Sequence, residues 1–530
     1  MIGVRRTRFL LVLALTLGFA GTAWAEGIFA VNDAGTGNWV FDQPSVVANG
    51  TVLHMAFVGD NGNGADSDSL NTRLYYAAVN GGADFNNRGT TRANVLVTAP
   101  VAIDGGDAYV DARHPQIALR SATELAILFQ ARPSVGAPYK LFRALVTIDN
   151  NAVTNRRINQ ILDASGNDFL GSLTDPSFAL VTTDNTMRIA FSSSPSSVAG
   201  SPYADVYYAR VGLDTARVMG NTLTLLTRTP AGTGATPLPR LRLEGTTRSH
   251  ISWAADSGTT TPSDIYYAMV KEASPGVDTL AIGATPVLGN QRWGFPNVLL
   301  PAASRVLVLA GVESGTPGIA GPVGVALLNP DAIVHDGNPV TVSNTIAGAS
   351  FIVYPPDNRN PLSNAFSAYH PEASLDGSNR VHVAGYGAVS GMHGTAGTYF
   401  TMSLLGVTAA TGNFADLVSP GVSIGTENSS FANSIPGDYT RPAFVHFSGK
   451  AVHFWSGQDN TGTIARNLYV TSTVSSVDPA PPVAPAQQSG CNIVDDPRHG
   501  EAGRIPGAAM LLLPAALIAL RRATRKAVAR

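Results

Sequence analysis

Five residues of this chain have the side-chain types that glycan binding and acid–base chemistry require. They are two guanidinium groups, two imidazole rings and one carboxylate, carried by Arg113, His114, Asp175, His370 and Arg441. Four of the five stand directly before a proline, and Arg113 stands one residue further out. Because one position recurs, we predict that these side chains surround a common opening and form a ligand-binding cluster. The alternative is that each caps a loop or hydrogen-bonds a neighbouring element.

A second candidate site is a short segment that contains three aspartates. Asp60, Asp66 and Asp68 fall within the nine residues DNGNGADSD. Calcium prefers oxygen ligands, so this segment is a candidate calcium site. It departs from the EF-hand pattern, because Asn71 stands where that loop needs a glutamate. The alternative is a solvated turn built on Asn-Gly, and no other cofactor is predicted.

The residues before the prolines belong to a repeat. Each copy has a proline with a short apolar strand, a second apolar strand, a loop rich in Gly, Ser and Asp, and a third strand that often contains Tyr-Tyr-Ala. The seven copies begin at Pro44, Pro115, Pro176, Pro239, Pro296, Pro371 and Pro442. Outside this repeat pattern, the sequence has no H-E-x-x-H zinc motif.

The length of the repeat predicts the fold class. The prolines are 57 to 75 residues apart, which is enough for four short antiparallel strands and their loops. One such sheet cannot bury its faces alone, so neighbouring units must stack. Radial stacking predicts an all-β protein, a seven-bladed β-propeller over residues 26–476. The alternative is a linear array or a pair of stacked sandwiches. Residues 27–31 or 38–42 can supply the outer strand that the seventh copy lacks, which would close the ring.

Several aromatic and titratable residues are predicted to be structural. Successive side chains of a strand alternate between faces, so each Tyr-Tyr pair places one ring on each side of its sheet for packing. The histidines of the second strands are expected to be satisfied core residues. Carboxylates for glycoside hydrolysis need a defined separation, which the sequence does not provide. The acidic candidates on the loop face are Asp175, Asp256, Glu313 and Asp459.

The repeat resembles the blades of sialidase-like and related BNR-repeat proteins. The matching phrase is Pro-x-Ile-Ala-Leu, an apolar strand, and then Asp-Ile-Tyr-Tyr-Ala, as at 115–119 and 264–268. This resemblance covers about 430 residues and implies a propeller. The sialidase Asp-box, Ser-x-Asp-x-Gly-x-Thr-Trp, is absent, which argues against sialidase chemistry.

Both ends of the chain carry targeting signals. Residues 1–25 have arginines, an apolar stretch and Ala-Trp-Ala, which predicts a secretory signal peptide cleaved after Ala25. Residues 477–490 form a Pro-rich linker, and 491–530 contain the apolar stretch 505–520 followed by five basic residues. We expect this stretch to be a transmembrane helix with a cytoplasmic C-terminus. The alternative is an amphipathic or buried tail helix.

The C-terminal layout resembles the tripartite sorting signals of bacterial exported proteins. Cys491 is the only cysteine, so it forms no internal disulfide, and it precedes the apolar stretch and Arg521-Arg522. The types with a cysteine before the helix, JDVT-CTERM and MYXO-CTERM, are the most similar. The resemblance implies cleavage by an intramembrane sorting protease, modification of Cys491 and delivery to the cell surface. The long spacer between the cysteine and the helix departs from these families.

Composition narrows the function. The formal net charge is −2 and only 14% of residues are charged, which excludes a nucleic-acid-binding protein. The first expectation is an envelope-associated propeller that acts as a binding module for a glycan or a protein and not as an enzyme. The alternative is a secreted hydrolase or lyase that degrades glycans.

Overall fold

The computed structural model describes most of the propeller-forming part of the chain. The described residues are 29–31, 41–60, 72–85, 90–103, 109–134, 136–169, 171–194, 203–230, 237–256, 263–288, 293–313, 320–331, 345–353, 367–376, 381–388, 396–404, 422–428, 442–447, 450–458 and 466–474. They hold twenty-eight strands and one four-residue helix, α1 (Arg92–Val95). The all-β class is confirmed.

The strands follow the repeat. The first three repeats form β2 (Phe41–Asn49), β3 (Val52–Asp60), β4 (Thr72–Asn80), β5 (Leu96–Ala102); β6 (Asp111–Ser121), β7 (Glu124–Arg132), β8 (Lys140–Asp149), β9 (Ala152–Gln160); and β10 (Ser172–Val181), β11 (Thr186–Ser194), β12 (Tyr203–Gly212), β13 (Thr224–Pro230). The fourth and fifth form β14 (Arg240–Glu244), β15 (Arg248–Asp256), β16 (Ser263–Ser274), β17 (Val277–Leu288); and β18 (Trp293–Ala302), β19 (Arg305–Glu313), β20 (Ala320–Leu328), β21 (Thr345–Val353). The last two form β22 (Ser367–Leu375), β23 (Val381–Ala388), β24 (Ala396–Leu404), β25 (Val422–Asn428); and β26 (Ala443–Phe447), β27 (Lys450–Gln458), β28 (Arg466–Val474).

The sheets correct the predicted blade count. The described strands form six sheets, not seven separate ones, because repeats 5 and 6 share one eight-stranded sheet. These two repeats join through a single residue pair, Gly321 with Ala368. The first strand of each repeat, here called the inner strand, contacts the inner strand of the next repeat, and β26 contacts β2. The seven inner strands therefore form a closed ring, and the fold is a β-propeller.

The ring is closed by the beginning of the described chain. Strand β1 (Phe29–Ala30) pairs antiparallel with β28, and the Val31 amide donates to the Leu468 carbonyl at 2.7 Å. Of the two segments that could supply the outer strand of the last sheet, the first does so. Arg92 in α1 clamps this strand, since its guanidinium donates to the carbonyls of Ala30 at 2.9 Å and Val31 at 3.0 Å.

The hydrophobic core lies between neighbouring sheets. The described side chains of the second and third strands are mostly buried, and the first tyrosine pair packs into these interfaces: Tyr75 and Tyr76 are 8% and 0% exposed. The hydroxyl of Tyr76 lies 2.8 Å from Nδ1 of His54, and Tyr267 makes the same contact with His250 at 2.7 Å. The second-strand histidines are buried, with a partner or a stacked ring, as a structural role requires.

The prolines do not begin their strands as predicted. In repeats 1, 2, 3, 5 and 6 the inner strand starts three or four residues earlier, and its register breaks around the proline. Proline lacks an amide donor, so a bulge, where the ladder is already interrupted, accommodates it. In β2, for example, Asp42 pairs with Val58, and the next pair is Ser45 with Ala56.

Several predicted features lie outside the described residues. They are the signal segment with Ala25, the linker 477–490, Cys491, and the apolar stretch 505–520. No helix in the described part of the chain is long and apolar enough to cross a membrane.

Candidate functional site

A cavity of about 420 Å³ lies on the propeller axis. We call it the lumen. All seven inner strands contribute to its wall, and its volume falls within the range of small-ligand pockets. Among the described residues, the charged and imidazole groups on its wall are His114, Asp175, Arg240, Arg242 and Glu372.

Four residues that stand directly before a proline form the mouth of the lumen: Gln43, His114, Asp175 and Leu238. The backbone before the prolines is strained, because the five such residues that are fully described have positive φ angles between 44° and 55°, in the left-handed region. Such a conformation costs a non-glycine residue about 1–3 kcal/mol. In repeats 1, 2, 3 and 5 it accompanies the bulge at the start of the inner strand. The five residues are Gln43, His114, Asp175, Leu238 and Phe295.

Hydrogen bonds join the mouth residues of the first three repeats. Oε1 of Gln43 accepts from the His114 amide at 2.6 Å, and Oε1 of Gln130 accepts from the Asp175 amide at 2.6 Å. Nδ1 of His114 lies 2.8 Å from Oδ1 of Asp175. Both side chains are mostly buried, at 11% and 4% exposed. The result is an imidazole–carboxylate pair, held by its backbone on both sides and facing the lumen.

One step further into the lumen, an ion pair crosses the wall. Arg240 of repeat 4 donates through Nη2 to Oε2 of Glu372 of repeat 6 at 3.1 Å. The pair thus joins repeats 4 and 6, with repeat 5 between them in the ring. The corresponding residue of repeat 5 is Asn297, which donates to the Pro371 carbonyl at 2.9 Å. Glu372 therefore places a second carboxylate on the lumen wall, beside a permanent cation.

Arg242 lies deeper again on the same strand. Arg240 and Arg242 face the lumen, while Leu241 between them is 0% exposed and packs between sheets. The Arg242 side chain is exposed to the lumen, and the protein walls around it lower the pKa of its guanidinium. The charge of Glu372 opposes that shift, and Arg240 adds to it. No hydrogen bond or ion pair to Arg242 occurs among the described residues.

The structure separates Arg113 from the predicted cluster. Its Nε donates to Oδ1 of Asp111 at 3.1 Å, and its guanidinium lies 5.8 Å from the Tyr139 ring centroid. Asp111 is completely buried and also accepts from Arg132 at 2.9 Å and from the Tyr139 hydroxyl at 2.5 Å. Burial raises the pKa of Tyr139. This group links neighbouring strands and lies off the lumen, so Arg113 serves the packing of its repeat.

Other predicted residues cannot be placed in the same detail. His370 lies in β22, before Pro371, but its side chain is outside the described residues, as is all of Arg441. The backbone of Asp60 ends β3, while its side chain, Asp66 and Asp68 are also outside. No group of three metal-ligating side chains occurs in the part of the chain that the structure describes.

A titratable cluster off the lumen joins repeats 6 and 7. Nε2 of His382 lies 3.0 Å from Oδ2 of Asp376, and the rings of His382 and His446 are 4.2 Å apart. Burial, together with the charge of His382, lowers the pKa of His446 to about 3. These side chains bridge two repeats and lie behind the lumen wall, where the His446 ring packs edge-on against that of the lumen residue Phe444, with 5.8 Å between the ring centroids.

Sequence reasoning missed three of the five chemical groups of the lumen, namely Arg240, Arg242 and Glu372. The predicted cluster included only residues just before the prolines, where His114 and Asp175 stand. The sequence signal for the other three is the alternation of side chains along a strand, because residues one and three positions after the proline share the face that lines the axis. Arg240 and Glu372 follow Pro239 and Pro371 directly, and Arg242 is three positions after Pro239.

Comparison with known proteins shows no family membership. No protein-family model matches the sequence, and no curated protein matches it. Among solved structures, a protein of unknown function from Dyadobacter fermentans DSM 18053 has a TM-score of 0.39 and 12% identity, covering 69% of this chain and 96% of that one. An endo-arabinase from Bacteroides thetaiotaomicron VPI-5482 (TM-score 0.32, 10% identity) covers 54% and 93%. An α-L-arabinofuranosidase from Lactobacillus brevis (TM-score 0.34, 12% identity) covers 55% and 91%.

The expectation of a binding module is corrected. Two of the similar structures are described as an endo-arabinase and an α-L-arabinofuranosidase, although likenesses this weak do not assign a chemistry to this chain. The axis itself is an open cavity whose wall carries two carboxylates, an imidazole and two guanidinium groups. A binding module with a flat or closed axis would show neither feature. The alternative expectation, an enzyme that acts on glycans, fits better.

Proposed function

We propose that the protein is an exported glycoside hydrolase whose active site is the lumen. The observation that carries the proposal is the placement of Asp175 and Glu372 on the wall of one cavity, each beside a different basic group. Glycoside hydrolysis uses two carboxyl groups, one to protonate the leaving oxygen and one to activate water or attack the sugar. A basic side chain holds each carboxyl group in place: His114 contacts Asp175, and Arg240 contacts Glu372.

The partners of the two carboxyl groups suggest their roles. Glu372 accepts from the permanently charged Arg240, which suits a carboxylate that acts as base or nucleophile. Asp175 contacts His114, whose Nδ1 lies 2.8 Å from Oδ1 of Asp175, within reach for the two side chains to share a proton. We assign proton donation to the Asp175–His114 pair. The mouth residues would then guide a glycan end past Asp175 toward Glu372.

The test is hydrolysis by wild-type protein and two conservative variants. Asp175→Asn keeps a residue that tolerates the left-handed backbone, and Glu372→Gln keeps the volume. Each variant should reduce the release of reducing sugar about 10²- to 10⁴-fold, the usual contribution of a positioned acid or base. Asp168→Asn, an exposed aspartate outside the lumen, is the matched control and should retain full activity.

The outcome is decided on a panel of plant and bacterial polysaccharides. Release of sugar by wild type and its loss in both lumen variants supports the proposal. Full activity of either variant refutes the assignment of that carboxylate. No release from any polysaccharide by folded wild-type protein refutes the hydrolase itself.

We also propose that the C-terminal segment sorts the protein to the cell surface. The support is the sequence: Cys491, the apolar stretch 505–520 and the basic end form the tripartite layout, and residues 1–25 form an export signal. An intramembrane protease would process the segment near the cysteine. Cys491→Ala is therefore expected to prevent processing.

A further inference from the structure

Among the described residues, the lumen holds one more cation than its acidic groups pair. Glu372 is paired with Arg240 at 3.1 Å, and Asp175 with His114 at 2.8 Å. Arg242 remains, and no ion pair to it occurs within the described ranges. A strand rises about 3.3 Å per residue. Arg242 therefore lies roughly 7 Å deeper than Arg240, on the same face.

The walls near this level offer little compensation. Strand β18 lines the lumen with the apolar Leu299 and Leu300, and β22 contributes the hydroxyl of Ser374. The Arg242 side chain is exposed to the lumen, so its guanidinium is accessible to a ligand that enters the cavity. The surrounding walls lower the pKa of Arg242. A ligand with an oxyanion would give this cation the counter-ion that the described walls do not supply.

We propose that Arg242 binds the carboxylate of a uronic-acid residue, so that the glycan taken into the lumen is acidic. The inference rests on the proposed function for the nature of the ligand. A guanidinium offers a planar fork that matches a carboxylate with two parallel hydrogen bonds. Because Arg242 lies beyond Glu372 as seen from the mouth, the acidic sugar is the one that enters first, at a chain end.

The test compares binding of matched charged and neutral sugars. Trimers of galacturonate, glucuronate and mannuronate are titrated by calorimetry against the same trimers with their carboxyl groups reduced to alcohols. The protein carries Asp175→Asn to prevent turnover, which leaves the Arg240–Glu372 pair intact. At least one uronate trimer should bind about 10- to 100-fold more tightly than its reduced form, the effect of a charged hydrogen-bond pair.

Variants of Arg242 locate this preference. Arg242→Met should abolish the difference between the charged and neutral trimers, and Arg242→Lys should retain part of it, because the charge remains and the fork is lost. Arg156→Met, at an exposed arginine of the outer strand β9, should leave it unchanged. Removal of an uncompensated cation should also leave the melting temperature of Arg242→Met equal to or above that of wild type, which shows that the variant folds.

Each outcome bears on one of the two proposals. A preference for uronates that survives in Arg242→Met, or no preference for any uronate trimer, overturns the inference, even if wild-type protein hydrolyses neutral glycans. Tight binding of a sulfated galactan trimer instead of a uronate, lost in Arg242→Met, also overturns it, because the anion is then a sulfate. Uronate binding that depends on Arg242, without hydrolysis of any glycan, supports the inference and refutes the hydrolase.

Discussion

His54 should make the fold sensitive to acid, and the size of this effect follows from its contacts. The side chain is completely buried in β3. The Tyr76 hydroxyl donates to the Asn151 carbonyl at 3.2 Å, so Nδ1 of His54, 2.8 Å away, is the donor to that hydroxyl. Nε2 is buried without a hydrogen-bond partner among the described residues. A proton added at Nε2 would place a charge where no acceptor is described.

Burial accordingly lowers the pKa of His54 from 6.5 to about 4. The unfolded chain takes up a proton at this histidine as the pH falls below 6.5, while the folded protein does so only near pH 4. The stability contribution is therefore fully present above pH 6.5 and is lost as the pH falls toward 4. A shift of this size, at about 1.36 kcal/mol per pKa unit, corresponds to about 3 kcal/mol.

The perturbation is His54→Asn, which keeps a donor near the Nδ1 position and does not titrate. Urea unfolding, followed by the fluorescence of the buried Trp253 and Trp455, gives the free energy of unfolding of both proteins at pH 7 and pH 4. Wild type should lose about 3 kcal/mol more than the variant over this range. Subtracting the two curves removes the titration of all other groups.

His250 provides a matched control in repeat 4. It makes the same contact with a tyrosine hydroxyl, but its Nε2 lies 3.3 Å from Oε2 of Glu244. Burial lowers the pKa of His250, and the nearby carboxylate opposes that shift. His250→Asn should therefore remove a smaller part of the pH dependence than His54→Asn. Parallel pH curves for wild type and His54→Asn would refute the reasoning.

Two further predictions concern the ends of the chain. Arg92→Met removes both hydrogen bonds that hold β1, so amide hydrogen exchange at Val31 should become faster by at least tenfold, while exchange at the buried strand β7 stays unchanged; equal exchange at Val31 would contradict the clamp. Cys491→Ala should leave the C-terminal segment uncleaved and the protein in the membrane fraction, as shown by intact mass and cell fractionation; unchanged mass and surface delivery would contradict the sorting proposal.

The repeat made much of the fold predictable. Prolines at a regular spacing located the inner strands, and the residues before them were expected around one opening, where His114 and Asp175 indeed meet. The number of sheets was not predictable, because it depends on one pairing, Gly321 with Ala368. That pairing joins two repeats across a loop and leaves no sequence pattern.

The candidate site was only partly predictable, and the reason is the backbone near the prolines. A register break at the proline changes the start of the inner strand in repeats 1, 2, 3, 5 and 6, whereas in repeat 4 the strand begins at Arg240 in unbroken register. The residues that face the axis therefore follow from the backbone of each repeat and not from residue type. Arg113 was misplaced for a related reason. Its partner Asp111 is two residues away, but the groups that complete the site, Arg132 and Tyr139, come from β7 and from the segment before β8.

The strained mouth supports the view that its side chains serve a ligand. Glycine adopts a positive φ angle without cost, yet five repeats place larger residues there. In repeats 1 to 3 these are polar, and they carry the His114–Asp175 pair. In repeats 4 and 5 they are Leu238 and Phe295, which are 6% and 5% exposed, and Leu238 lines the lumen two residues before Arg240. The mouth thus has a polar side and, at Leu238, an apolar side, and a sugar ring likewise has polar edges and an apolar face. A purely structural opening would have no need for this division, because glycine at all five positions would adopt the same positive φ angle with less strain.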